Sequence, residues 1–429
     1  MFFVITIIAI LLYLSGRKYV GLMLYFFLLT DGFQFVPEQI MLFGLNYYGK
    51  DYALIFTIVV FLSYLITGRI TAYKKDNVRV WIYLFYVFLF IAIVVDLQRN
   101  PSIVGFLLMV RQYFHLLIFF ILPDIPLPLF YRLGRSLFKL TIFQTILFMS
   151  QMVTGVRLLT MGGLSESYEP GFLWYRPTNL PYFIYIFLFI TLLLPKEKLK
   201  YKNQLLILFV LAILLTLTRT LILGLFITVF VAMLAGLLKA GKKVIPVFVF
   251  IALCALPIIG ARVMSSFSDL GGGFSSNFEK PDDNNLTFTW RMALTAERAA
   301  YVSNDTKSRI FGIGFIHEKD FGGQPFIVGH LNEEGEPVQL DQGDIAWPNL
   351  FLRLGFVGTF FYVMLAISLG IYYYKNREDT YAAAAFLFLI YATIITFASG
   401  MFSFADFFVI PYFIYYFIRK RKTWEKITV

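Results

Sequence analysis

Apolar runs broken by short basic or polar connections recur along nearly the whole chain. A helix crossing a bilayer needs roughly 20 apolar residues, and thirteen segments read as candidate spans: 1–14, 19–31, 52–68, 80–95, 102–122, 136–154, 178–195, 204–217, 219–238, 244–260, 349–374, 380–398 and 404–418. The first two are short, so the expected number is about 12–13. The run Met1 to Leu14 precedes its first cations, Arg17 and Lys18. A cleavable secretory signal has the opposite order, so this run reads as a retained span. One long polar segment, 261–348, rich in Gly, Asn, Asp, Pro and Ser, interrupts the series. Within it, 288–303 is Ala-rich and free of Gly and Pro, which predicts an amphipathic helix. The expected fold is all-α, a polytopic transmembrane helix bundle in three parts. Residues 1–260 form a bundle of about ten spans, 261–348 a large loop carrying candidate site residues, and 349–429 the last spans with a basic tail.

Composition supports this reading. Of 429 residues, 59% are apolar, 19% aromatic and only 15% charged, with mean hydropathy +0.74. Soluble domains are usually about 45–50% apolar and about 25% charged, so an ordinary cytosolic enzyme, a disordered chain and a nucleic-acid binder are excluded. The net charge of +11 is explained by its distribution. Under strict alternation, Arg17 and Lys18, Arg69 to Arg79, Arg132 to Lys139, Lys196 to Lys202, Lys239 to Lys243, Lys375 and Arg377, and Arg419 to Lys426 all fall on one side. The positive-inside rule makes that side cytoplasmic, with the C-terminus inside and the N-terminus outside. The opposite side carries the longer connections 32–51, 96–101, 155–177 and 261–348. A loop as long as the last is more often functional than decorative. No internal repeat pairs the two halves, which counts against a secondary transporter.

The reactive inventory is small. Cys254 is the single cysteine, and His115, His317 and His330 are too far apart to read as a metal-ligand motif. Neither a metal nor a cofactor is expected. The long loop holds seven basic against thirteen acidic residues, so an anion there must be held by particular arginines. Arg291 and Arg298 are seven apart, on one face of the expected helix and about 10 Å apart along its axis. A solvated helix face accounts for them equally well. Arg176, in Trp174-Tyr-Arg-Pro-Thr-Asn179, precedes a span, and Arg219, in Thr216-Leu-Thr-Arg-Thr220, joins two spans with almost no loop. Guanidinium binds phosphate oxygens bidentately, although snorkelling to nearby water also explains a boundary arginine. Arg111 and His115 lie four apart within the fifth span, where ionisable groups are functional candidates or partnered structural ones. Asp344, just before a span, suits a general base, or a carboxylate favoured by the following helix dipole. Trp174, Tyr175, Trp290 and Trp347 suit either sugar stacking or interfacial anchoring.

Four local patterns together resemble the O-antigen ligase and polymerase superfamily of bacterial membrane glycosyltransferases. Trp174 to Asn179 resembles its arginine-containing stretch before a mid-chain span. Leu215-Thr-Leu-Thr-Arg-Thr-Leu221 resembles its Ser-x-Ser-Arg turn, with Thr216 and Thr218 in place of the serines. Phe311-Gly-Ile-Gly-Phe315 resembles its Gly-x-Gly element, and Asp344 to Gly358 its His-Asn-x-x-Leu segment ending in Gly-x-x-Gly. Gly355 and Gly358 match that ending, whereas Asp344 stands where a ligase has histidine, which leans toward the polymerase branch. The resemblance implies a fold related to the GT-C class and metal-independent transfer of an undecaprenyl-diphosphate-linked glycan at the periplasmic face of the inner membrane. On that reading Arg176, Arg219, Arg291 and Arg298 bind the diphosphate, and Asp344 or His330 serves as base. The implied partners are the lipid-linked glycan, membrane lipid and a chain-length regulator protein, with no nucleic acid. The competing expectations are an O-antigen ligase acting on lipid A core or protein, and a polysaccharide-lipid flippase.

Overall fold

The computed structural model describes residues 1–36, 49–69, 77–98, 102–159, 164–169, 172–177, 180–216, 218–238, 288–328, 338–340, 345–397 and 399–428. The described chain is a polytopic helical bundle. In order it runs α1 (Phe2–Leu14), α2 (Lys18–Leu29), α3 (Gly49–Ile66), α4 (Asn77–Leu97), α5 (Ile103–Asp124) and α6 (Leu127–Thr154). A hairpin of β1 (Leu164–Glu169) and β2 (Phe172–Pro177) follows, then α7 (Ile184–Leu193), α8 (Lys202–Leu215) and α9 (Arg219–Leu234). The loop contributes α10 (Phe288–Ser303) and α11 (Thr306–Phe311), and the chain closes with α12 (Ala346–Lys375), α13 (Thr380–Ile394) and α14 (Val409–Thr428).

Every expected span within the described residues coincides with a helix, while 244–260 lies outside them. Five helices, α3, α4, α5, α6 and α12, are long and apolar enough to cross a membrane, and six further apolar helices are shorter. The helices carry apolar residues on both faces: Phe90, Val104 and Leu223 point outward while Leu89, Phe106 and Ile222 on the same helices are buried. That pattern fits helices surrounded by hydrocarbon, where lipid replaces water on the outer face. The expected loop 155–177 differs in containing the antiparallel hairpin, with Ser165 opposite Arg176 and Glu166 opposite Tyr175. Its strands are only six residues each, short enough to pass for a connection in sequence.

Without a hydrophobic drive between helices in lipid, close packing and small residues hold them together. At Gly21 on α2, a Cβ would sit 2.8 Å from Cβ of Tyr13 on α1, so the first helical hairpin closes only around a residue lacking one. Ala382, Ala383, Ala384 and Ala385 are buried on α13, which packs on α7. Aromatic rings fill the centre: Phe119 meets Tyr412 with centroids 5.0 Å apart, and Tyr113 bridges Phe85 and Phe315.

The loop reaches this bundle through a break in α12. Gly355 has φ +62° inside that helix, a conformation that L side chains rarely adopt. The break leaves the carbonyl of Leu352 free to accept a bond from the amide of Ile313, at 2.8 Å. Gly312, with φ +72°, ends α11 against the same spot, and a Cβ on Gly355 would lie 2.5 Å from its nitrogen. Phe315 then donates its amide to Asp96 Oδ2 at 2.7 Å, tying the loop to the end of α4. The Gly-x-Gly element and the glycine of α12 are therefore two halves of one backbone contact.

Gly355→Ala should destabilise this junction by at least about 1–3 kcal/mol, from the strained backbone alone. Gly370→Ala on the same helix, where a Cβ meets nothing within 4 Å, should be neutral or slightly stabilising. Thermal midpoints of the detergent-solubilised variants check this, and equal midpoints would dismiss the junction as a stabilising contact.

Candidate functional site

Helix α10 packs on α12, with Trp290 and Leu294 buried against Ile345, the residue following Asp344. A second cluster, Val302, Ile313, Phe326, Leu340 and Leu352, joins the loop to the first half of α12. The loop thus has its own small core, and Arg298 is its centre. That side chain is fully buried. Its Nη1 donates to Glu297 Oε2 at 2.6 Å and to the carbonyl of Val328, its Nη2 donates to the carbonyl of Gln339 at 3.3 Å, and its guanidinium lies 4.4 Å from the Phe326 ring centroid. Glu297 also accepts the amides of Ile327 and Val328, and Glu318 those of Gln339 and Leu340. Burial lowers the Arg298 pKa to about 10, opposed by Glu297 and Glu318, so the group stays charged at neutral pH. Arg298 is accordingly removed from the expected diphosphate ligands. Its terminal nitrogens are turned inward, onto Glu297 and the loop's own carbonyls.

Arg291 is half-buried on α10, seven residues nearer the start of that helix. The 3-10 turn Ile395–Phe397, at the end of α13, contacts α9, α10 and α12. Trp347 donates its indole N–H to Thr396 Oγ1 at 3.0 Å. On the α9 side, Tyr391 donates its hydroxyl to the carbonyl of Leu221, and a Cβ on Gly224 would come 2.7 Å from Ile395. Thr216 closes α8 by donating to the carbonyl of Ile213 at 2.7 Å, and Thr218 is extended immediately before α9. Arg219 therefore opens α9, beside backbone amides that have no partner within the helix. One short turn thus gathers the helix that Arg219 begins, the helix that carries Arg291, and the first turn of α12. Arg176 has a different neighbour, since its strand is packed on α6. Asp344 and His330 lie outside the described residues.

The second-tier pair sits in another polar group. Residues Arg111–Leu117 of α5 form a 3-10 stretch. At three residues per turn, positions four apart are staggered rather than stacked, which corrects the expectation of a common face for Arg111 and His115. Arg111 pairs through Nε with Asp51 Oδ1 at 3.0 Å, the partnered structural alternative. Lys50 pairs with buried Asp406 at 2.9 Å, and Tyr182 donates to the carbonyl of Asp406 at 3.1 Å. His115 is buried, and its Nδ1 has no hydrogen-bond partner among the described residues. The 3-10 turns Ile395–Phe397, Gly400–Ser403 and Ala405–Phe408 lie between the site beside Trp347 and this group in sequence.

Two features of these surroundings were not anticipated from sequence. Lys50, Asp51 and Asp406 each look like ordinary span-boundary charges, and nothing local says which cation meets which carboxylate. Arg353 did carry a readable signal, being an ionisable residue inside the apolar run 349–374. It is buried on α12 and donates to the carbonyl of Ile316, a further link between loop and bundle. Comparison of the chain with protein-family models, curated proteins and solved structures finds no match.

Arg298→Ala would remove the Glu297 counter-ion and leave two loop carbonyls, those of Val328 and Gln339, without their donor, at a cost on the order of 3–5 kcal/mol for a broken buried pair. Limited proteolysis should then cut within 304–340 at least tenfold faster than in the parent, with Arg298→Lys intermediate. Unchanged cleavage would show that the loop is held elsewhere.

Proposed function

We propose that the protein is a metal-independent glycosyltransferase that polymerises undecaprenyl-diphosphate-linked oligosaccharide repeat units into O-antigen or capsular-type polysaccharide. It acts at the periplasmic face of the bacterial inner membrane, with its C-terminus in the cytoplasm. The observation that carries this reading is the gathering of α9, α10 and the start of α12 on the turn 395–397. Arg219 opens the first of these helices, Arg291 is carried on the second, and the third begins just after Asp344 in sequence, so parts of the segments that resemble the ligase and polymerase superfamily support one region.

In the proposed reaction, a hydroxyl on the terminal sugar of one lipid-linked unit attacks the anomeric carbon of another. The bond from that carbon to the diphosphate oxygen breaks, and undecaprenyl diphosphate leaves with the electron pair. The hydroxyl proton passes to Asp344 or to His330. Arg219 and Arg291, with Arg176 from the hairpin, bind the diphosphate and stabilise the charge that grows on the leaving group. Such a donor is already activated, so no nucleotide site is needed, and its polyprenyl tail remains in the bilayer. A chain-length regulator is the expected protein partner.

Deleting the gene and resolving the surface glycan on a gel tests the assignment. A single capped repeat unit is the expected product, whereas full-length chains stranded on the carrier lipid would identify a ligase. Purified protein that moves the lipid-linked glycan across liposomes without elongating it would overturn the enzymatic reading.

At residue level, Arg219→Ala and Arg176→Ala should abolish chain extension at unchanged membrane abundance. Arg→Lys should recover little of it if binding is bidentate. Asp344→Asn keeps the shape and removes the base, so full activity in that variant would transfer the role to His330 or to no base. Polymer length on gels, with immunoblots for abundance, reads all three.

A further inference from the structure

A groove enclosing about 360 Å³ runs between α6, α7 and α14, and its lining reaches Tyr381 at the start of α13, the opposite end of that helix from the 395–397 turn. Its walls are almost wholly aromatic and aliphatic, including Phe138, Phe183, Phe187, Phe413 and Phe417. Its polar lining is confined to one end, where Tyr131, Arg135, Lys198 and Tyr381 lie. That end belongs to the basic connections Arg132 to Lys139 and Lys196 to Lys202. Along α7 the groove extends from Phe183 to Leu194, about 16 Å at helical rise. This equals roughly half of a 30 Å hydrocarbon core, the depth of one leaflet.

Two further observations say what fills it. Arg135 and Lys198 are exposed and form no ion pair or side-chain hydrogen bond with a described residue, whereas nearby Arg132 is stacked on Tyr19 at 4.1 Å. Gly134 stands inside α6, where glycine is unfavourable relative to alanine. No atom beyond its own stretch of helix lies within 4 Å of where its Cβ would be, so no close helix contact requires it. What its small size does is widen the groove beside Arg135.

We propose that this groove is a binding site for an anionic glycerophospholipid of the leaflet bordering the basic connections. One acyl chain lies along the aromatic wall, and the phosphate sits between Arg135 and Lys198. A headgroup or peptide would need polar partners along the groove floor, and the lining offers none beyond its end. Juxtamembrane cations of this kind favour anionic over zwitterionic lipid. The proposal concerns the opposite end of the bundle from the glycan site and holds or fails independently of it.

Native mass spectrometry of the full chain, titrated with phosphatidylglycerol or phosphatidylcholine, tests it. The parent should retain phosphatidylglycerol at least fivefold more than phosphatidylcholine. Arg135→Glu and Lys198→Glu should each erase that preference, and Lys139→Glu, the same charge change outside the lining, should keep it. Gly134→Leu, whose side chain enters open space, should lower retention of both lipids. A parent without preference, a charge-reversal variant that keeps it, or an equal loss in Lys139→Glu would each overturn the site.

Discussion

Hydrocarbon offers no hydrogen bonds, and each polar group placed in it must find a partner in the protein or move to the boundary. The backbone answers with helices, and the side chains answer with pairs. Lys50 meets Asp406, Arg111 meets Asp51, and Tyr362 and Tyr391 direct their hydroxyls to the carbonyls of Phe402 and Leu221. Where helical geometry relaxes, as at Arg111–Leu117 and Ala405–Phe408, polar groups accumulate. The departures from regular helix and the buried charges occur together because each freed backbone group needs a neighbour that can satisfy it.

The loop obeys the same constraint from the other direction. Too polar to enter lipid, it builds a small core around Arg298 and fastens that core to the break in α12 at Gly355. A helix that bends back on a glycine exposes the carbonyl of Leu352, and the loop supplies the amide of Ile313 to meet it. Arg353 and Asp96 repeat the arrangement, each joining a buried charge of the bundle to loop backbone. In the proposed function, such rigid attachment would hold the site's arginines fixed against a mobile lipid-linked donor.

Part of the candidate site was legible in the residues. The helix carrying Arg291 was expected at 288–303 and occurs there, and Arg219 stands at the joint between two apolar helices as its spacing required. The gathering of those elements on the turn Ile395–Phe397 was not legible, since that turn reads as the tail of a span. Arg298 illustrates the limit most clearly. Seven residues from Arg291 and chemically identical to it, it points into a core assembled from segments some 30 and 40 residues further on.

Sequence alone determined the class of solvent and the helical segments within it. Spanning length, apolar content and the clustering of cations in short connections are local properties, and local properties survive in a one-dimensional reading. Tertiary structure decided which charges pair, which arginine is buried and which glycines touch. Those outcomes depend on residues such as Lys50 and Asp406, or Gly312 and Gly355, that are distant along the chain. A buried charge or a backbone contact is defined by whatever faces it, and only the folded chain fixes that.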